Sequence, residues 1–284
     1  MPPNDERPFD SRPHFVIPYW NSTDLTKPGD DGDVRPVPAN KAVWYLCESI
    51  HASPYQPGQQ LDVTVDIANY GGANTPSIAQ VTVWWSDPTA GFVVGPDNLI
   101  GYRTVDVPPR GGRNTTLVMS KVIPPSAPNH ICLLARVSHQ YDRAGVVVDP
   151  VNDRHWAQRN LVAAAAQPGV PVVLPFLVGN PFQETTEFLV LAKQVREAHF
   201  EALANAVGGQ PIFAEAQLTV SDREDGRGED RLRLTLEPGE QRRLYVSIGL
   251  ANRIDRGQFA PFEVSQQREG DETPAGGLGF IING

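Results

Sequence analysis

From residue 41 to residue 165 short apolar runs alternate with clusters of turn-forming residues. Leu61-Asp-Val-Thr-Val-Asp-Ile67 puts apolar side chains at every second position, the period of a strand with one face in a core. Asn69-Tyr-Gly-Gly72 closes that run with residues that favour turns. The same reading predicts strands over residues 42–47, 81–84, 99–107, 115–119, 131–137 and 155–162. Pro108-Pro-Arg-Gly-Gly112 predicts a tight turn between two of them. Ile131-Cys-Leu-Leu-Ala-Arg-Val137 is nearly continuous in apolar residues, as expected of a central strand.

The pattern resumes after residue 166, with strands predicted over 170–178, 185–191, 216–220, 231–236, 243–248, 259–264 and 278–282. One stretch changes period. Val195, His199, Leu203 and Val207 recur every four residues and Gly208-Gly209 follows, so a helix is predicted over 194–207. Two strand-rich stretches of this size, with turns every few residues, predict an all-β protein. It should consist of two tandem immunoglobulin-like β-sandwiches, the second carrying one inserted helix. The expected domains are 41–165 and 166–284, preceded by a Pro-rich arm over 1–40.

Charge and proline sharpen that division. The arm holds 8 of the 27 prolines and a net charge of −3, the middle segment is neutral, and residues 166–284 carry −6. All five tryptophans fall before residue 157. His14-Phe-Val-Ile-Pro-Tyr-Trp20 is too apolar for a solvated tail, so part of the arm should lie on the first domain as an ordered clip. The alternative is an arm that docks on a neighbouring subunit. A formal charge of −9 argues against a nucleic-acid binder, which needs a basic face. No apolar run approaches the ~18 residues that span a bilayer, so no membrane insertion is expected. The opening Met-Pro-Pro-Asn-Asp-Glu-Arg-Pro lacks the form of a signal peptide. The expected location is cytoplasmic, or outside the cell by a leaderless route.

The order of phrases from Pro57-Gly58 through Asn69-Tyr-Gly-Gly, Val81-Thr-Val-Trp-Trp, Pro-Arg-Gly-Gly112 and His130-Ile-Cys-Leu-Leu-Ala-Arg to Asp153-Arg-His-Trp-Ala-Gln-Arg-Asn-Leu161 resembles the CARDB-type Ig-like domains of bacteria. Tyr19-Trp-Asn-Ser-Thr-Asp-Leu25 resembles the lead-in to such modules in some bacterial chains. The resemblance covers residues 15–165. It implies a module of surface, secreted or large-assembly proteins, generally without catalytic residues.

Candidate chemistry is sparse. Gly-x-Ser-x-Gly, a Walker loop, a dinucleotide Gly-x-Gly-x-x-Gly at a strand-to-helix junction and His-Glu-x-x-His are all absent. No catalytic residue, cofactor or metal ligand is therefore assigned. Cys47 and Cys132 read as two buried thiols, with a single bridge as the alternative. His139-Gln-Tyr-Asp142 and Asp149-Pro-Val-Asn-Asp153-Arg-His155 hold histidines and aspartates that a metal ion would use. As turn formers the same residues need no ion. Ser221-Asp-Arg-Glu-Asp-Gly-Arg-Gly-Glu-Asp230 misses the EF-hand spacing and reads as a solvated hairpin tip, with a weak Ca²⁺ site as the alternative.

Adjacent residues of one strand point to opposite faces, so one of Trp84 and Trp85 should be core and the other covered or exposed. Trp84, Trp85, Tyr19 and Trp20 are the aromatic candidates for a binding surface. The expected function is that of a non-catalytic structural or adhesive protein, working by contact with a protein partner or with itself in a bacterial assembly. The alternative is a carbohydrate- or Ca-dependent ligand-binding module.

Overall fold

The computed structural model describes residues 11–21, 29–38, 40–165, 169–271 and 273–284. The start of the Pro-rich arm, part of its 27–33 turn cluster and most of the Tyr19–Leu25 phrase lie outside the described residues. The chain forms two compact units. One comprises the residues up to Trp85 together with Val94–Arg159; the other comprises Ser86–Val93 and Asn160–Gly284.

Among the described residues the first unit holds nine strands: β1 (Phe15–Val16), β2 (Ile50–Ala52), β3 (Gln60–Asn69), β4 (Ser77–Ser86), β5 (Leu99–Val107), β6 (Gly112–Thr115), β7 (Met119–Val122), β8 (Cys132–Ser138) and β9 (Trp156–Arg159). They make two sheets. In one, β3 is central: β1 and β6 pair with its C-terminal half, β2 and β7 with its N-terminal half. The other has the order β5-β4-β8-β9. Alternation does the sorting. Val63, Val65 and Ile67 of β3, and Ala79, Val81 and Val83 of β4, are all buried, whereas Ile78, Gln80 and Thr104 face outward.

Residues 42–47, predicted as a strand, are not one. They form a turn-rich segment that meets β9 through an isolated bridge between Leu46 and Arg159. Val43, Trp44, Tyr45 and Cys47 are nevertheless buried there, so the apolar run reported burial and not extension. Thr115–Met119 divides between β6 and β7, because Thr116 turns inward and donates its backbone N–H to the Val65 carbonyl.

The docked part of the arm belongs to this unit. Phe15 and Val16 pair antiparallel with Asn69 and Ala68, and Phe15, Val16 and Ile17 are completely buried. The Pro18 carbonyl accepts from Ser49 Oγ at 2.6 Å and from Cys47 Sγ at 3.4 Å. Behind it, Asp30 is fully buried, holds Arg35 through both carboxylate oxygens and accepts the Tyr19 N–H at 2.9 Å. Both cysteines are free thiols, and burial pushes Cys47 up to about 12.

The second unit contains β10 (Leu161–Ala165), β11 (Val172–Gly179), β12 (Thr186–Gln194), β13 (Gln210–Pro211), β14 (Ala216–Ser221), β15 (Arg231–Leu236), β16 (Gln241–Leu250), β17 (Gln258–Arg268) and β18 (Gly276–Asn283). One sheet has the order β10-β18-β17-β12-β15, with β13 added on β17; the other is β11-β16-β14. Phe176, Phe188, Val190, Leu236, Leu244, Val246, Phe262 and Phe280 fill the space between them. Each unit is therefore a β-sandwich of the immunoglobulin-like kind, and the chain is all-β.

Among the described residues one α-helix occurs, α1 (Phe200–Val207), preceded by a 3₁₀ turn over Glu197–His199. The predicted start at 194 is too early. Gln194 is still paired with Phe262 in the sheet, and the Val195 N–H donates to the Pro261 carbonyl. Gly208, at φ 77°, ends the helix as its sequence predicts.

The first unit ends at Arg159, six residues before the expected boundary at 165. The predicted strand over 155–162 is in fact β9 followed by β10, which joins β18 in parallel. Asn160 separates the two: it is completely buried, and its side-chain amide donates to the carbonyls of Thr89 and Gly277. Thr89 lies in Ser86–Val93, which bonds to β11 through Ala90 N–H to Leu177 O at 2.8 Å and Leu177 N–H to Pro88 O at 2.7 Å.

His130, between β7 and β8, gives a first test of this packing. Its Nε2 is buried without a hydrogen-bond partner, and desolvation pushes the ring down to about 4. A histidine depressed in the folded state takes its proton in the unfolded state first. Stability should therefore fall as pH drops from ~6.5 to about 4, and the loss should stop below that. Its full size is up to about 3 kcal/mol. Urea titrations of the wild type and His130→Phe across this range should diverge by that amount; parallel curves would show that the ring is solvated.

Candidate functional site

The outer face of the β5-β4-β8-β9 sheet and the loop after β8 form one connected site in the first unit. The β4–β5 ladder pairs Ile78 with Asp106, Gln80 with Thr104 and Thr82 with Tyr102. These side chains alternate with the buried Ala79, Val81, Val83 and Val105 and so stand on the open face. Ile78 is 56% exposed and Tyr102 68%. Beyond β8 the chain turns tightly: His139 N–H donates to the Asp142 carbonyl at 2.9 Å and Asp142 N–H returns to that of His139 at 3.1 Å. Ile78, Gln80, Thr104, Ser138, His139, Gln140 and Arg143 line an open groove of about 480 Å³, and Tyr141 in the same turn is also exposed.

Directly behind the turn is a buried ionic cluster. His155 is 3% exposed; its Nδ1 lies 2.6 Å from Asp153 Oδ1 and its Nε2 3.1 Å from Asp142 Oδ1. Arg154 pairs with the same Asp142 oxygen. The second oxygen of Asp142 accepts the backbone N–H of Phe15 at 2.6 Å, and Asp153 Oδ2 accepts that of Gly145 at 2.8 Å. Burial works against a charged His155, but its hydrogen bonds to Asp142 and Asp153 outweigh that and raise its pKa. Burial likewise works against both carboxylates. The bond to His155 overcomes it in each case, aided by Arg154 at Asp142, and holds both below the usual range.

The sequence flagged this stretch for its histidines and aspartates, and the structure brings His155, Asp142, Asp153 and Arg154 together. Asp149 stands apart, bonded to Asn152, and burial raises its pKa. His139 packs edge-on against the Phe15 ring at 6.0 Å. Among the described residues no group of three or more His, Cys, Asp or Glu is placed to hold a metal ion. In the 221–230 run, Asp225 pairs with Arg223 at 2.9 Å, and Val220 N–H donates to the Glu229 carbonyl.

The four aromatic candidates do not form a shared platform. Tyr19 is buried, its hydroxyl accepting the Gln158 N–H at 3.1 Å, and desolvation, then the nearby Cys47, raises its pKa. Trp84 is buried because its ring stacks on Trp156 at 5.9 Å, with the Arg136 guanidinium over both rings at 5.3 and 5.5 Å. Trp20 and Trp85 are half-buried. Among the described residues the exposed tyrosine rings are instead Tyr102 and Tyr141. Tyr102 had a legible signal, since it occupies an outward position of an alternating strand; Tyr141 lay in the flagged turn.

No family model matches the chain, and no curated protein matches it. Solved structures do. The CupB6 tip adhesin from Pseudomonas aeruginosa is similar at 10% identity over 82% of this chain and 92% of that one, with a TM-score of 0.27. Red sea bream transglutaminase is similar at 12% identity over 83% of this chain and 31% of that one, TM-score 0.23. CBD12 from CALX1.2 is similar at 12% identity over 75% and 77%, TM-score 0.21. At these scores none of the three adds to what the chain's own sheets establish.

Proposed function

We propose that this is a non-catalytic structural or adhesive protein that works by surface contact with another copy of itself or with a protein partner, in a bacterial assembly. The observation that carries the reading is the open face of β4 and β5. It sets Ile78 and Tyr102, both more than half exposed, on either side of the Gln80–Thr104 pair, with Gln140 and Arg143 lining the groove that Ile78 enters. Large apolar and aromatic side chains set among hydrogen-bonding ones are a composition that protein interfaces use. The likeness of residues 15–165 to CARDB-type modules supports the same reading. Tyr102 and Tyr141 beside amide and hydroxyl groups favour a glycan as the second reading.

The test is the solution mass by light scattering over a concentration series, for the wild type and for Ile78→Ser with Tyr102→Ala. Self-association of the wild type should weaken at least about tenfold in the variant, with no loss of thermal stability. A wild-type mass that stays monomeric, or an oligomer indifferent to both substitutions, would overturn self-contact through this face. A glycan array on which the wild type binds and the variant does not would replace it with the second reading.

A further inference from the structure

His155 has two ring nitrogens and faces a carboxylate with each, Asp153 at 2.6 Å and Asp142 at 3.1 Å. Neutral imidazole has one N–H and one lone pair, so only the doubly protonated ring can donate to both. The same two segments hold the N-terminal strand. Asp142 Oδ2 accepts the Phe15 N–H, and the backbone carbonyl of Arg154 accepts the Ile17 N–H at 3.2 Å. We propose that His155 is a proton-dependent latch on the N-terminal segment, keeping β1 docked on the first unit while the ring carries two protons.

The charge balance gives the reason. With the ring protonated, Asp142, Asp153, Arg154 and His155 sum to zero in a largely buried place. Loss of the proton leaves one net negative charge and turns a lone pair toward a carboxylate oxygen, where burial weakens screening. Asp142 must then move from Nε2, and the oxygen that holds Phe15 moves with it.

Other charged groups around the cluster are already engaged. Asp149, from the turn before Asp153, bonds Asn152. Arg136, from β8, lies on Trp84 and Trp156. From the docked segment, His14 Nε2 contacts the Asp31 carbonyl at 3.0 Å and lies 3.6 Å from Asp33. From the turn after β8, His139 packs on Phe15.

The raised pKa of His155 fixes the direction. A histidine raised in the folded state adds stability that is fully present below its unfolded value, ~6.5. That stability is lost as pH rises through the folded value. The depressed carboxylates of Asp142 and Asp153 act at the other end. Their contribution is present above ~3.9 and lost as pH falls through their folded values. The segment is thus held most firmly between the two and released on the alkaline side by His155.

The test is amide hydrogen exchange in the full chain, corrected for intrinsic rate, between about pH 6 and about pH 9. Protection of Phe15 and Ile17 should fall at least about tenfold over that range, while Val65 and Ile67 of β3 hold theirs. In His155→Gln the fall should vanish and protection stay low; in His14→Gln it should persist. Should His155→Gln not fold, Asp153→Asn removes one of the two carboxylate charges that favour the protonated ring and should move the fall to lower pH. Imidazole nitrogen shifts showing a neutral His155 at neutral pH would overturn the latch. So would protection that is flat with pH, or a fall that survives in His155→Gln.

Discussion

Replacing Asp142 with alanine should destabilise the first unit by about 3–5 kcal/mol, the usual cost of breaking one partner out of a buried ion pair. Three groups lose their acceptor together: the Arg154 guanidinium, His155 Nε2 and the Phe15 backbone N–H. The first two leave largely buried positive charge without that carboxylate, and the third leaves an unpaired donor on a completely buried residue. Asp142→Asn should recover part of the loss, because an amide oxygen still serves Phe15 but cannot balance the cations. Urea unfolding followed by tryptophan fluorescence reads this unit alone, since all five tryptophans belong to it. A loss below about 1 kcal/mol for Asp142→Ala, the value of a surface pair, would mean that water reaches the cluster. The prediction about β1 would then fall with it.

Much of this architecture was legible because alternation and burial agreed. Residues 231–236 have the bounds their alternation predicts, with Leu232, Leu234 and Leu236 at every second position, and residues 99–107 have theirs because turn residues stand at both ends, Pro96-Asp-Asn98 before and Pro108-Pro109 after. Where burial had another cause the reading failed. Residues 42–47 are apolar because they lie in the core, and a turn-rich segment in a core looks like a strand in a sequence. The run from His155 to Val162 looks like one strand because nothing local shows that Asn160 bonds to Thr89 and Gly277, 71 and 117 residues away.

The same limit applied to the site. Turn composition and histidines marked residues 139–155, and short-range bonds such as Asp153 to His155 followed naturally from them. What Asp142 does was hidden, because its partner Phe15 stands 127 residues earlier. The aromatic candidates failed for a related reason. Alternation speaks only of Trp84's own strand and Tyr19 sits in the arm, while what meets them is Trp156 and Gln158, contributed by β9.

The pair Trp84 and Trp85 should respond very unequally to alanine, and Trp156 most strongly of all. Trp156 is 1% exposed, stacks on Trp84, and donates its indole N–H to the Gly145 carbonyl at 3.3 Å. Trp156→Ala should cost about 3–5 kcal/mol in urea unfolding, from lost transfer energy and the cavity left behind. Trp84→Ala should approach that figure, because it removes the other half of the stack. Arg136 makes the two losses interdependent. Its guanidinium lies over both rings, and desolvation lowers its pKa, so each ring supports a cation that has given up water. The double variant should therefore cost less than the sum of the singles, by roughly 0.5–1.5 kcal/mol. Trp85 is only half-buried and has no such neighbours, and Trp85→Ala should cost no more than about 1–2 kcal/mol. Equal, small losses at Trp84 and Trp85 would mean that the stack does not hold the sheet face. Strict additivity of Trp84 and Trp156 would mean that Arg136 is held by something other than the two rings.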